Sequence, residues 1–365
     1  MKFISLSLRA VLISSIAVLF SACASTQYRA EYEVESSQAK IWPAPPEVPR
    51  FRYVGQLTGE KDFKEIENSK SFGTRIKDFF RMLVGLGADN PIPLVLQRPQ
   101  SGMTDPQGRV LVTDVSRHSV VVFDLPKGEI YEWHQATPSI DFDTPIAITL
   151  GPQKTYYVTD AQLKVVVQLD ENGNPMKLIG EGLLKRPTGL ATDPYDHRIF
   201  VADTKDHNIK VFNDKGELVD VMGRRGTKPG EFNGPTHLWF ARGNLYITDT
   251  FNARVQILTE AGDFKREFGK RGTYVGNFVR PKGITTDSDG NIYVIESLND
   301  HLLVYNANGN YLLPIGGTGS GIGEFYLPAG VWSDNKDRIY IADMFNGRIV
   351  ILQYLGGDAS HNAVH

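Results

Sequence analysis

Pro281-Lys-Gly-Ile-Thr-Thr-Asp287, Gly290-Asn-Ile-Tyr-Val-Ile-Glu296 and Leu302-Leu-Val-Tyr305 make up one unit that the chain repeats six times. The copies open at Pro99, Pro145, Pro187, Pro235, Pro281 and Pro328, with gaps of 42 to 48 residues. The acid that closes the second apolar run recurs in step, as Asp114, Asp160, Asp203, Asp249, Glu296 and Asp343. Two landmarks that drift together over six copies mark a structural repeat. A unit of this length with several short apolar runs is a propeller blade. The expected fold is all-β: a six-bladed β-propeller of four-stranded blades, closed by an N-terminal strand and carrying one inserted amphipathic helix.

Within a blade the runs are read from the innermost strand outward. In blade 4 they are Leu238–Phe240, Leu245–Thr248, Val255–Leu258 and Phe264–Phe268. Blade 6 reaches its third run at Ile349–Tyr354, and no apolar run follows. Phe51-Arg-Tyr-Val-Gly55 has the Phe-to-Gly pattern of Phe264–Gly269, one residue shorter. It is expected to supply the missing strand, because an open ring leaves two blade faces and a strand edge unburied. Residues 49–355 are thus the propeller. Within it, 58–98 form an insertion in which Phe72, Ile76, Phe79, Phe80 and Leu83 recur at helical spacing, predicting one amphipathic helix over about 70–86.

The composition is that of a globular protein, with 41% hydrophobic and 22% charged residues. A net charge of −3 gives no reason to expect a polyanion, and no nucleic-acid partner is expected. Cys23 is the only cysteine, so no intrachain disulfide can form. Before it lie Lys2, Arg9, an apolar run from Ala10 to Phe20, and Ser21-Ala22. That order predicts a secretory signal over residues 1–22. Phe20-Ser21-Ala22-Cys23 resembles a bacterial lipobox, which implies a lipidated Cys23 holding the mature chain to a membrane. Ala24 after the cysteine resembles an outer-membrane sorting signal. Residues 23–48 are expected to be a tether, with Trp42-Pro-Ala-Pro-Pro46 extended. Residues 356–365 are expected to be a polar tail.

Asp249-Thr-Phe-Asn252-Ala-Arg254-Val255 and Asp343-Met-Phe-Asn346-Gly-Arg348-Ile349, following Pro-x-Gly openings, resemble the NHL repeat. Ser101 and Ala147 depart from that pattern by replacing the first glycine of copies one and two. The layout is similar to bacterial six-bladed propeller lipoproteins. The resemblance implies the fold; since such propellers include both enzymes and binding modules, it implies no single activity.

The loops from fourth to first strand and from second to third strand share one face of a propeller. Three of the former read Gly223-Arg-Arg-Gly226-Thr-Lys-Pro-Gly230-Glu-Phe232, Gly269-Lys-Arg-Gly272-Thr-Tyr-Val-Gly276-Asn-Phe278 and Gly316-Gly-Thr-Gly319-Ser-Gly-Ile-Gly323-Glu-Phe325. Their phenylalanines are expected to pin them to the core. Arg224, Arg225, Lys228, Lys270 and Arg271 form a basic cluster on adjacent blades, with Tyr274 beside it. At one equivalent position the second-to-third loops carry Ser116, Gln162, Lys205, Phe251, Leu298 and Phe345, so the apolar tips fall on blades 4 to 6. The basic cluster is the candidate patch for an anionic ligand or an acidic partner, and together with the apolar tips it is the candidate contact surface for an envelope protein.

Catalysis has less support. His118, His207 and His301 lie in second-to-third loops of alternate blades. At ~5 Å per strand they stand on the order of 20 Å apart, whereas zinc needs each nitrogen at ~2 Å. His237 replaces the first glycine of blade 4 and is the single candidate metal or acid–base residue near the channel. The six repeated acids are expected to cap loops. Trp239 and Trp332, at equivalent inner-strand positions, are expected to pack between blades. No nucleophile motif is found. The favoured function is a non-enzymatic, lipid-anchored binding or scaffold module on the outer membrane. The alternative is a channel-centred lyase or hydrolase using His237, with or without a metal. No cofactor is assigned, and calcium and zinc stay open.

Overall fold

The computed structural model describes residues 28–35, 39–66 and 93–356. The signal, Cys23, the insertion helix and the polar tail after Gly356 lie outside the described residues. Six antiparallel sheets surround one axis. Blade 1 consists of Pro99–Thr104, Val110–Asp114, Ser119–Asp124 and Glu129–Trp133. Blades 2, 3, 4 and 5 repeat that order, beginning with inner strands Pro145–Leu150, Pro187–Thr192, Pro235–Ala241 and Pro281–Thr286. Both faces of a blade meet a neighbour, so the middle strands are apolar on both sides. Val110–Asp114 and Ile199–Asp203 are buried along their whole length.

Blade 6 is assembled from both ends of the described chain. Val331–Ser333, Arg338–Asp343 and Arg348–Tyr354 are followed by Phe51–Leu57, antiparallel from Ile349↔Leu57 to Tyr354↔Phe51 with one register shift between Ile351 and Leu352. The closing strand buries both of its faces. Phe51 meets the edge of Tyr293 in blade 5, with ring centroids 5.9 Å apart. Leu57 joins Leu96, Val110, Val121 and Phe123 in the core shared with blade 1.

The N-terminal stretch departs from the expected tether. Ile41–Trp42 pairs with Arg52 and Phe51 as a fifth strand of blade 6. Glu33 bridges to Gly55, and Tyr28–Ala30 pairs with Phe63–Glu65. Nor do Trp42 to Pro46 run straight on. The chain turns after them, so that the Arg50 N–H returns to the Trp42 carbonyl at 2.7 Å. The reason is edge satisfaction. The outer strand of blade 6 has no following strand in sequence, and the polar segment supplies its hydrogen-bond partners. Tyr32, Phe63 and Leu94 then fill the seam between blades 6 and 1. The described ends of the 58–98 connection therefore lie in that seam.

At the third position of the inner strands stand Ser101, Ala147, Gly189, His237, Gly283 and Gly330. A Cβ on Gly283 would stand 2.4 Å from the Val331 nitrogen, and one on Gly189 would stand 2.8 Å from the His237 Cα. Small residues there let neighbouring inner strands touch, and the channel narrows to a waist at this level.

Phe51 is 1% exposed. Phe51→Ala is expected to cost about 3 kcal/mol of unfolding free energy, at the low end for a buried aromatic. Phe264→Ala, on the outer strand of blade 4, is expected to cost well under half of that. Urea denaturation of the two variants checks the difference.

Candidate binding face and channel

The six repeated acids cap the loops as expected. Asp114 accepts the backbone N–H groups of Gln97, Arg98 and Ser116 at 2.7–3.0 Å. Glu296 accepts those of Val279, Arg280 and Leu298. Each acid ties the start of its own inner strand to the turn after its second strand. The carboxyls of Glu296 and Asp343 are pushed up by burial, against the pull of the donors around them.

Three fourth-to-first loops share one conformation. Phe232, Phe278 and Phe325 are fully buried. Each forms a parallel bridge to a residue seven positions earlier: Arg225, Arg271 and Thr318. The ring of Phe232 lies against Gly223, where a Cβ would stand 2.4 Å from it, and φ at that glycine is +77°. Phe278 repeats this against Gly269 at 2.3 Å. A side chain there would displace the ring that pins the loop.

Two of these loops are also clamped from blade 4 or blade 6. Arg254 pairs with Asp249 at 2.8 Å and donates to the carbonyls of Thr227, Lys228 and Glu231. Arg348 pairs with Asp343 and donates to Ser320, Gly321 and Glu324. Asn252 and Asn346 reach Gly226 and Gly319 in the same loops. Blade 5 carries His301 where blades 4 and 6 carry arginine, and its ring turns to the Asn299 carbonyl instead. The 269–278 loop is held by Tyr305, whose hydroxyl donates to the Gly276 carbonyl at 3.1 Å.

These frames present an apolar surface. Phe251 is 50% exposed, Tyr274 82%, Leu298 48%, Tyr326 47% and Phe345 50%. All stand on fourth-to-first or second-to-third loops of blades 4 to 6. Phe345 packs against Tyr326 with ring centres 5.5 Å apart and planes tilted by 57°, and it lies under the Arg98 guanidinium. Among the basic residues, Arg224 is paired with Glu231 at 3.1 Å, and Arg271 donates to the Phe251 carbonyl. Arg225 and Lys270 make no ion pair among the described residues.

The histidines stay apart. His118 meets the Asp143 carbonyl, and His207 Nδ1 accepts from the Gly234 N–H at 2.9 Å. Among the described residues no three His, Cys, Asp or Glu side chains gather in a way that would hold a metal. His237 stands alone at the channel waist, its Nδ1 3.0 Å from the Thr236 hydroxyl. It borders the channel yet is enclosed by the ring of inner strands. That burial, with Lys282 nearby, holds its imidazole down to about 3. The ring is therefore neutral at pH 7. Lys282, one strand further round, is itself held down to about 8 by burial and by Arg280 and Arg98.

On the side of the first-to-second turns lies a cavity of about 1330 Å³. Met103, Leu150, Trp239, Phe240 and Trp332 line it, with Arg29 to Glu33 from the N-terminal segment. The two tryptophans do more than pack between blades. Trp239 Nε1 donates to Thr286 of the next blade at 3.1 Å, and Trp332 stacks on Tyr340 with planes 4° apart. Trp239 also shows part of its ring to the cavity, while Trp332 is buried. The acids at its rim are engaged: Asp105 with Arg109 and Tyr156, Asp193 with Arg198, and Asp334 with Tyr340.

Sequence reasoning found His237, the rim loops and the capping acids. It missed Lys282, which sits inside a well-formed repeat and differs from its counterparts only by its charge.

A family model described as a 6-bladed beta-propeller matches residues 192–244 and 284–357. No curated protein matches the sequence. Among solved structures, a protein of unknown function from Bacteroides thetaiotaomicron is 15% identical with a TM-score of 0.58, over 91% of this chain and 92% of its own. A virginiamycin B lyase from Staphylococcus aureus is 18% identical with a TM-score of 0.51, over 70% and 95%. An auxiliary nutrient binding protein from Bacteroides thetaiotaomicron is 11% identical with a TM-score of 0.58, over 71% and 69%. At these identities the likeness is one of fold, and it spans an enzyme and a binding protein alike.

Two stability effects follow from the channel. An ammonium held below its ordinary range costs folding energy at pH 7. Lys282→Met is expected to stabilise by about 1–2 kcal/mol after allowance for partial exposure, raising Tm by a few degrees. His237 has its folded value below its unfolded one. As pH falls from about 6.5 towards 3, the unfolded chain takes up the proton first, and stability is lost over that window. His237→Gln is expected to remove about 1–2 kcal/mol of that loss between pH 7 and 4.5. Urea denaturation at both pH values measures it.

Proposed function

We propose that this chain is a non-enzymatic binding module, held to an outer membrane by acylated Cys23, that receives an envelope protein on the loop face of blades 4 to 6. The observation that carries the reading is the exposed row Phe251, Tyr274, Leu298, Tyr326 and Phe345, set on loops that buried phenylalanines, arginine clamps and asparagines hold rigid. Rigid aromatic anchors lose little entropy on binding, which suits a contact surface. Arg225 and Lys270 beside that row favour a partner with an acidic rim. Blades 1 to 3 carry Ser116, Gln162 and Lys205 at the same loop position, so the apolar surface is one-sided. A lipid anchor at the start of the chain would keep the disc near the bilayer.

The channel-centred enzyme has one feature in its favour, a neutral imidazole at the waist. A lyase or hydrolase would need a second catalytic group within reach, and His237 has no acid partner among the described residues.

Crosslinking of the native protein in its own envelope from Lys228 or Lys270, followed by mass spectrometry, is expected to yield one defined protein. Arg225→Glu with Lys270→Glu is expected to weaken that capture at least tenfold, as is Tyr274→Ser with Phe345→Ser. Capture unchanged by both pairs would overturn the reading. Cys23→Ser is expected to move the protein from the membrane fraction to the soluble one.

A further inference from the structure

We propose that the channel mouth on the fourth-to-first loop face is an anion site, in which Lys282, Arg280 and Arg98 take the carboxylate or phosphate group of a small soluble molecule. This goes beyond the rim surface proposed above and does not rest on it.

The argument starts from register. The residue after the first proline of each inner strand is Gln100, Ile146, Thr188, Thr236, Lys282 and Ala329 in turn. Lys282 is the one charged side chain of that ring. Arg280 and Arg98 stand just before Pro281 and Pro99, on the blades that flank blade 6. Their backbone N–H groups are locked onto the carboxylates of Glu296 and Asp114 at 3.0 Å. The Arg98 guanidinium is turned over Phe345 of blade 6, 5.8 Å from the ring centre. Between the two arginines, blade 6 places the uncharged Ala329 and Gly330, with Gly330 packed against Gln100 and Ser101 of blade 1.

Among the described residues no acid pairs with these cations. Neither Lys282 nor Arg280 has an ion pair or a side-chain hydrogen bond among the described residues. The nearby acids are spent elsewhere: Glu296 on three backbone N–H groups, and Asp300 on Thr318 and the Leu327 N–H. Lys282 feels both Arg280 and Arg98, which places the three charges within electrostatic reach of one another. Three cations converging on a partly desolvated mouth repel one another until an anion neutralises them. His237, on the neighbouring inner strand of blade 4, adds a neutral imidazole close to Lys282, a hydrogen-bonding group without charge.

The test is calorimetric titration of the full chain at pH 7 with inorganic phosphate and with citrate. At least one is expected to bind with Kd below about 1 mM, corresponding to roughly −4 kcal/mol. Lys282→Met and Arg280→Gln are each expected to weaken that binding tenfold or more. Lys164→Gln, which removes an exposed charge from a blade 2 loop on the same face, is expected to leave it unchanged. Phosphate or citrate binding alone assigns the group recognised. Arg280 is exposed, so Arg280→Gln tests the site without altering the core. No binding of either probe up to 20-fold above ~1 mM, or equal loss in Lys164→Gln, would overturn the site.

Discussion

The pairing of Phe51–Leu57 with Arg348–Tyr354 holds the ring together, since every blade face is buried only if the ring is complete. Six blades bury twelve faces in six interfaces, and opening one seam exposes two of them at once. The closing strand joins residues some three hundred positions apart, so the two chain ends must meet before either blade 6 or blade 1 has its full core. Phe51 against Tyr293 on one side and Leu57 against Val110 on the other make that strand a member of both neighbouring interfaces. The N-terminal segment then finishes the edge. Glu33, Ile41 and Trp42 pair with its free side, and Tyr32 and Phe63 fill the seam.

With the ring closed, loops become rigid fixtures instead of flexible connections. A buried phenylalanine packs on a glycine with positive φ at the start of each of three loops. Arg254 and Arg348 then use a buried aspartate on one side to aim their remaining donors at loop carbonyls on the other. This is a costly arrangement to break. Removing either partner would leave a charge buried with no compensation. The outcome is a face whose aromatic tips stand out from a fixed frame, while Lys282 near the axis has no acid partner among the described residues.

Much of this was legible in the chain. Paired landmarks at Pro281 and Glu296 and their counterparts set the blade count. The lack of a fourth apolar run after Tyr354, beside the Phe-to-Gly pattern at Phe51, identified the closing strand. The Asp-x-x-Asn-x-Arg copies marked the loops that turn out to be clamped. The polar N-terminal stretch was misread as a tether because its own residues carry no strand signal. Its order comes from the free edge of blade 6, which supplies hydrogen-bond partners that no local pattern announces. Lys282 was passed over for a similar reason. On its own strand it is an ordinary polar residue, and only the ring brings Arg98 and Arg280 towards it.

The sequence by itself determined what local periodicity can encode: six repeats, four strands in each, the glycines and phenylalanines of the loops, and the acids that cap them. These are short-range demands of backbone geometry and hydrogen bonding, satisfied within one blade or between neighbours. Tertiary structure alone decided what depends on the angle between blades. It placed Phe251, Tyr274, Leu298 and Phe345 on one side, separated the histidines of alternate blades, left His237 alone at the waist, and brought Arg98 and Arg280 within electrostatic reach of Lys282. Those relations arise from rotation around a closed ring, and residues that share a radius there share nothing local along the chain.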